Sequence, residues 1–141
     1  MMFFKKFEDR IESWREFRDS LELDTDPIQK TINFWNKAPI SAMSCDPFDQ
    51  NSWPLAWQLI DENKYCEFSK MLAIYYTLKL TDRFKDSYFE IQIANDKKEH
   101  RFYYLLIIDD NIVGYRYDSA VTRKELPNLW TNQSYVMRDD I

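Results

Sequence analysis

Residues 65–80, YCEFSKMLAIYYTLKL, constrain the fold more than any other stretch of the chain. This is the most apolar segment of helical length, with its polar residues confined to Glu67, Ser69, Lys70, Thr77 and Lys79. Phe68, Met71, Leu72, Tyr75 and Leu78 recur at steps of three or four, the helical period. A helix that is apolar around most of its circumference needs other elements over most of its surface. The segment therefore reads as a buried central helix. Cys66 falls in its first turn, where unpaired backbone N–H groups and the helix dipole favour a thiolate.

Candidates to cover that helix lie on both sides of it. Residues 3–22 place Phe4, Phe7, Ile11, Trp14, Phe17 and Leu21 at helical spacing, with charged residues on the other face. The stripe suits packing on the protein's own body. Alternatively Phe4, Phe7 and Trp14 form a docking face for a partner groove. Asp26 followed by Pro27 is a helix start, and Pro39 a stop, so a second helix runs to about Asn36. Residues 39–53 form a turn-prone loop containing Cys45. A short helix spans 54–60 with Ser52 as its cap, and Asn63 is placed to cap the central helix. After Leu80 the period changes to two. Residues 87–94 alternate as a half-buried strand, 100–108 (HRFYYLLII) read as a middle strand covered on both sides, and 112–118 follow after a tight turn. In the tail, Thr122 and Glu125 predict a capped helical turn, and Leu129, Trp130, Tyr135 and Val136 pack back on the body. The Asp139-Asp140 pair reads as tail charge. The expected architecture is a single α+β domain over 1–141: N-terminal helices (1–38), a loop (39–53), a core (54–121) built from the central helix on a three-stranded antiparallel meander, and a tail (122–141).

Composition removes several functions. With one glycine, Gly114, the chain has neither a phosphate-cradling loop nor a dinucleotide-binding turn, both of which need backbone to approach phosphate closely. The net charge of −5 and scattered Lys and Arg oppose nucleic-acid binding. Two cysteines and one histidine cannot build a four-ligand Cys/His zinc site. No metal or cofactor is expected. The N-terminal MMFFKKFEDR is too charged for a signal peptide, no run reaches the length of a membrane span, and the mixed charges on the first helix argue against membrane binding. These features predict a cytoplasmic protein with reduced thiols.

A cysteine opening a helix, a histidine opening a strand and an acid ending the next strand can supply a thiolate, a proton-sharing imidazole and a carboxylate that orients it. Cys66, His100 and Asp118 occur in that order. Tyr65-Cys66-Glu67-Phe68-Ser69, His100-Arg101-Phe102 and the segment IIDDNIVGYRYD together resemble the transglutaminase-like branch of the papain-type cysteine enzymes, over about residues 54–121. That resemblance implies amide hydrolysis or acyl transfer through a Cys66 thioester, on a protein or peptide substrate. The oxyanion would be held by the backbone N–H of Cys66, with Gln58 as the side-chain candidate. Where the family usually has glycine before its cysteine, this chain has Tyr65. The triad also depends on register. A three-residue loop 109–111 sets Asp118 diagonally beside His100, whereas a two-residue loop 110–111 puts it on the opposite face.

Each triad residue also has an ordinary reading: a buried inert thiol, a surface histidine and a turn aspartate. The same fold without chemistry is then a structural or interaction protein. Segments such as DPIQKTINFWNKAPI and DPFDQNSWPLAWQLI resemble, in wording, uncharacterised small proteins of tailed bacteriophages. That likeness implies a head, neck or tail component, located in the host cytoplasm or the virion and assembled with itself or other proteins. An inhibitor that covers a basic target with acidic charge is a third reading.

Overall fold

A computed structural model describes residues 1–138; the Asp139-Asp140 pair lies outside them. The chain divides into two compact units, Met1–Asp86 and Ser87–Ile141. Among the described residues, all four α-helices fall in the first and all five strands in the second, so the protein is α+β. No helix of the described residues is long and apolar enough to cross a membrane.

In the first unit, a 3-10 turn at Met2–Phe4 precedes α1 (Phe7–Ser20). The single helix expected over 3–22 is thus interrupted at the extended residues Lys5 and Lys6. α2 (Pro27–Trp35) starts as expected, with the Asp26 carboxylate accepting the Gln29 N–H and Pro27 in the first helical position. α3 (Ala56–Glu62) begins two residues later than expected. Its start is stabilised by Gln58, whose side-chain oxygen accepts the Leu55 N–H at 2.8 Å, while the Ser52 hydroxyl donates to the Asp49 carbonyl instead. Asn63 closes α3 in the left-handed region (φ 52°) and does not open the next helix. That helix, α4 (Glu67–Lys79), is the buried central element: all of residues 71–79 are buried.

Thr77 explains why so apolar a helix keeps a hydroxyl in its middle. The residue is fully buried, and its Oγ1 donates to the Ala73 carbonyl at 2.7 Å. The same oxygen accepts the indole N–H of Trp14 from α1 and of Trp35 from α2, each at 2.9 Å. One atom therefore fixes two tryptophans from two helices against a third. Trp14, expected as a docking residue, is a core residue at 5 % exposure. Phe7 is half-buried, and only Phe4 of that trio stands exposed. Around the tryptophans, Phe3, Phe34, Trp35 and Tyr65 pack with ring centroids 5.3 to 5.8 Å apart, mostly in the edge-to-face arrangements that the ring quadrupole favours. Two arginines satisfy helix ends: Arg10 donates to the carbonyls of Ile60 and Asp61, and Arg83 to those of Leu21, Glu22 and Asp24.

The second unit is an antiparallel sheet in the order β4-β3-β2-β1-β5, where β1 is Phe89–Asp96, β2 Arg101–Ile108, β3 Asn111–Val113, β4 Val121–Thr122 and β5 Trp130–Met137. The expected meander is present at its centre, but the sheet has five strands rather than three. The third strand stops at Val113, since Gly114 (φ 109°) turns the chain out of the sheet where a side chain would clash. Thr122 and Glu125 do form their predicted contact, Oε1 accepting both the N–H and the hydroxyl of Thr122, yet this closes a single turn rather than a helix. The tail then becomes β5 along the free edge of β1. A bulge there sets Ile93 opposite Gln133 and Ala94 opposite Thr131, leaving Asn132 over. Trp130 and Val136, expected to pack inward, are 59 % and 47 % exposed. One sheet face carries a small core of Ala94, Tyr103, Leu105, Ile107, Ile112 and Val121, closed over by Tyr115, Leu126 and Leu129.

The Thr77 arrangement predicts an asymmetry between two substitutions. Thr77→Val preserves shape but leaves two buried indole N–H groups unsatisfied, a loss of about 2–5 kcal/mol. Thr77→Ser keeps the hydroxyl and removes one methyl, a loss of about 1 kcal/mol. Urea unfolding followed by tryptophan fluorescence measures both.

Candidate active site

The segment between α2 and α3 reaches the entrance of α4 through backbone pairing. Ile40 forms a parallel bridge with Tyr65, and the Ser41 N–H donates to the Tyr65 carbonyl at 2.7 Å. Asp46 shapes the next turn: its carboxylate accepts the Phe48 N–H, and its carbonyl accepts the Asp49 N–H and the Trp53 indole N–H. Trp53 in turn packs on Phe68 of α4, with centroids 5.0 Å apart. Pinned at both ends, the loop delivers Ser44, with Cys45 next to it in the chain, to the sulfur of Cys66.

Cys66 is the N-cap of α4, one position before the first turn in which it was expected. The Ser69 N–H donates to Cys66 Sγ at 3.4 Å, and the Cys66 N–H donates to Ser69 Oγ at 2.8 Å. This is a reciprocal capping box with sulfur in the place usually taken by a Ser or Thr oxygen. The Ser44 hydroxyl donates to the same sulfur at 3.6 Å. Cys45, free like Cys66, is the next residue, and the two thiols act on each other electrostatically and titrate as a pair. The Cys45 thiol holds Cys66 well below the ordinary thiol value of 9.0. The Ser44 backbone and both groups of Ser69 assist, outweighing the opposing effect of burial. Cys45 moves the opposite way, raised first by its interaction with the Cys66 sulfur, then by burial and by the nearby negative charge of Cys66, Asp46 and Glu62. Thiolate character is thus concentrated on Cys66, at the positive end of a 13-residue helix. That sulfur is enclosed, its residue being 4 % exposed, while Cys45 is half-buried and Met43 is 61 % exposed.

The other expected site residues are placed as follows. Gln58 uses its side-chain oxygen to start α3, as described above. Tyr65, standing where the cysteine-enzyme family has glycine, is fully buried, packed against Phe3 and Trp35. His100 and Asp118 belong to the second unit, Cys66 to the first. His100 is the last residue of the β1–β2 turn, exposed and left-handed at φ 54°. Asp118 is exposed in the bends between β3 and β4. Ile108 pairs with Asn111, Ile107 with Ile112 and Leu106 with Val113, so the hairpin loop is Asp109-Asp110. Neither expected register holds, and β3 ends before Asp118. The cross-strand argument that placed Asp118 beside His100 therefore fails.

Sequence reasoning passed over Ser44 and Ser69, and placed Cys45 in the loop without a role at Cys66. For Ser69 a signal existed, since Cys66-x-x-Ser69 has the spacing of a capping box. For Ser44 and Cys45 there was none, because their position depends on a pairing between Ile40 and Tyr65. Among the described residues no cluster of three or more His, Cys, Asp or Glu could hold a metal ion. Compared with known proteins, the chain matches no protein-family model and no curated protein sequence.

A thiolate favoured by the fold makes stability depend on pH. Because the folded state lowers the proton affinity of Cys66, its contribution is present above the ordinary thiol value and is lost as pH falls through the lowered one. Cys45, shifted upward, works in the opposite sense above that value. Stability attributable to the pair therefore rises from acid pH toward about pH 8–9 and declines beyond it. Cys66→Ser flattens the rise while keeping a good N-cap, which urea titrations at several pH values detect.

Proposed function

We propose that this protein is a cysteine acyl-transfer enzyme that acts through a thioester on Cys66. The observation that carries this reading is the Cys66 sulfur itself, an N-cap atom that takes hydrogen bonds from the Ser69 backbone and the Ser44 hydroxyl. Groups that donate to sulfur favour its anionic form, the form that attacks a carbonyl carbon. Attack opens the carbonyl to a tetrahedral oxyanion. Its collapse forms the thioester and expels an amine, and water or a second amine then resolves the acyl-enzyme. The resemblance of the Cys66 and His100 segments to transglutaminase-like enzymes supplies the substrate class, a peptide amide. In this reading the leaving amine takes its proton from solvent, and His100, a residue of the second unit, is given no step. Asp118 has no part in it. Cys45 takes the role of lowering the proton affinity of Cys66, so the nucleophile is ionised without help from an imidazole.

Two measurements test this. At pH 6, iodoacetamide is expected to modify Cys66 ahead of Cys45. In Cys45→Ala, the midpoint of the alkylation rate against pH moves up by about one to two pH units, the loss of one interaction with the thiolate. With p-nitrophenyl acetate, a single acetyl group is expected on Cys66, visible by mass spectrometry. Cys66→Ser, which keeps a good helix cap, is expected to form no thioester and to lose turnover. Acetylation elsewhere, or turnover unchanged in Cys66→Ser, would remove the enzyme reading.

A further inference from the structure

The pairing of the two cysteines has a consequence that acyl transfer does not require. They are the only cysteines of the chain, separated by 20 residues, yet Ser44, the residue before Cys45, bonds to the Cys66 sulfur at 3.6 Å, and each thiol perturbs the other electrostatically. Loop and helix are held in that arrangement by contacts that do not involve sulfur: the Ile40–Tyr65 bridge, the bond from Ser41 N–H to the Tyr65 carbonyl, and the Asp46 turn braced by Trp53. A nucleophilic sulfur beside a second thiol on a different segment is the layout of a cysteine with a built-in resolving partner. We propose that Cys45 and Cys66 form a peroxide-sensing dithiol, closing to an intramolecular disulfide that switches the Cys66 nucleophile off.

The oxidant is hydrogen peroxide, little larger than water and thus small enough to reach a residue 4 % exposed. The Cys66 thiolate attacks one peroxide oxygen, so that an S–O bond forms, the O–O bond breaks and hydroxide leaves to take a proton from solvent. Cys66 is oxidised to the sulfenic acid and the peroxide is reduced. The Cys45 sulfur then attacks the Cys66 sulfur, forming the S–S bond as the S–O bond breaks. The proton of Cys45 leaves with the departing hydroxide as a second water. The net reaction consumes two thiols and one peroxide and yields one disulfide and two waters. A dithiol reductant reverses it by thiol–disulfide exchange. Ser69 and Ser44 have no thiolate to solvate in the oxidised state, and neither sulfur carries the negative charge that attack on a carbonyl needs.

The inference rests on the same Cys66 thiolate as the acyl-transfer reading, but not on acyl transfer itself. Its test uses the reduced full-length chain, treated with a small excess of hydrogen peroxide and quenched with catalase. The expected result is an intact mass lower by two hydrogens, a non-reducing digest in which the Cys45 and Cys66 peptides are joined, no covalent dimer, and at least tenfold less alkylation by iodoacetamide, all reversed by dithiothreitol. Cys45→Ser is expected to stop at a Cys66 sulfenic acid that dimedone traps. Cys66→Ser, which retains a good helix cap, leaves Cys45 reduced under the same conditions. The proposal is overturned if both thiols still titrate after excess peroxide, if Cys66 proceeds to sulfinic acid with Cys45 free, if the linkage joins two chains, or if dimedone marks Cys45. Rapid alkylation of Cys66 without disulfide closure would sink the switch and leave the nucleophile standing. Closure without any acetyl-enzyme would do the reverse.

Discussion

The helical unit depends on a single oxygen. Thr77 Oγ1 lies in the middle of the most buried helix and accepts two indole N–H groups from two other helices. Tryptophan is the largest apolar side chain and carries one donor that is costly to bury without a partner. Bringing both donors to one acceptor allows Trp14 and Trp35 to be interred at 5 % and 0 % exposure. It also sets the rotation of α1 and α2 about their own axes, because each indole must present its N–H edge to the same point. The aromatic packing of Phe3, Phe34 and Tyr65 builds outward from Trp35. Tyr65 immediately precedes Cys66, so the geometry at the sulfur is continuous with the geometry at the hydroxyl.

Scarcity of glycine shapes the turns. Left-handed backbone is needed where α3 closes, where β1 turns into β2 and where β2 turns into β3. These positions fall on Asn63, His100 and Asp109, three residue types that tolerate positive φ better than most. Gly114, the one glycine, occupies φ 109°, which the others could not adopt without greater strain. A histidine at the end of a hairpin turn therefore has a conformational reason to be there, independent of any chemistry.

What could be read from the sequence follows from the range of the interactions involved. The central helix was legible because apolar residues dominate its full length, and the start of α2 because Asp26-Pro27 is a local signal. The centre of the sheet was legible from the alternation Phe89, Ile91, Ile93 and the apolar run of β2. β5 was not, since WTNQSYVM on an edge has little to bury and so no alternation to display. The length of β3 was set by Gly114, and its register by a loop that two or three residues could have filled. Thr77 was visible only as one polar residue in an apolar helix; its partners lie 63 and 42 residues away. Cys45 reaches Cys66 for the same kind of reason, through a pairing between distant backbones that leaves no periodic trace.

The margins of the sheet carry a last implication. β4 is two residues long, which gives an incoming strand almost nothing to align with. On the other side β5 is eight residues long, but Asn132 interrupts its ladder, polar residues fill its first half, and Lys97 sits 4.3 Å from the centroid of the Trp130 ring. Short, kinked or charge-flanked borders resist strand addition between chains. Among the described residues both margins of the sheet thus carry features that disfavour extending the β-ladder from one copy to the next.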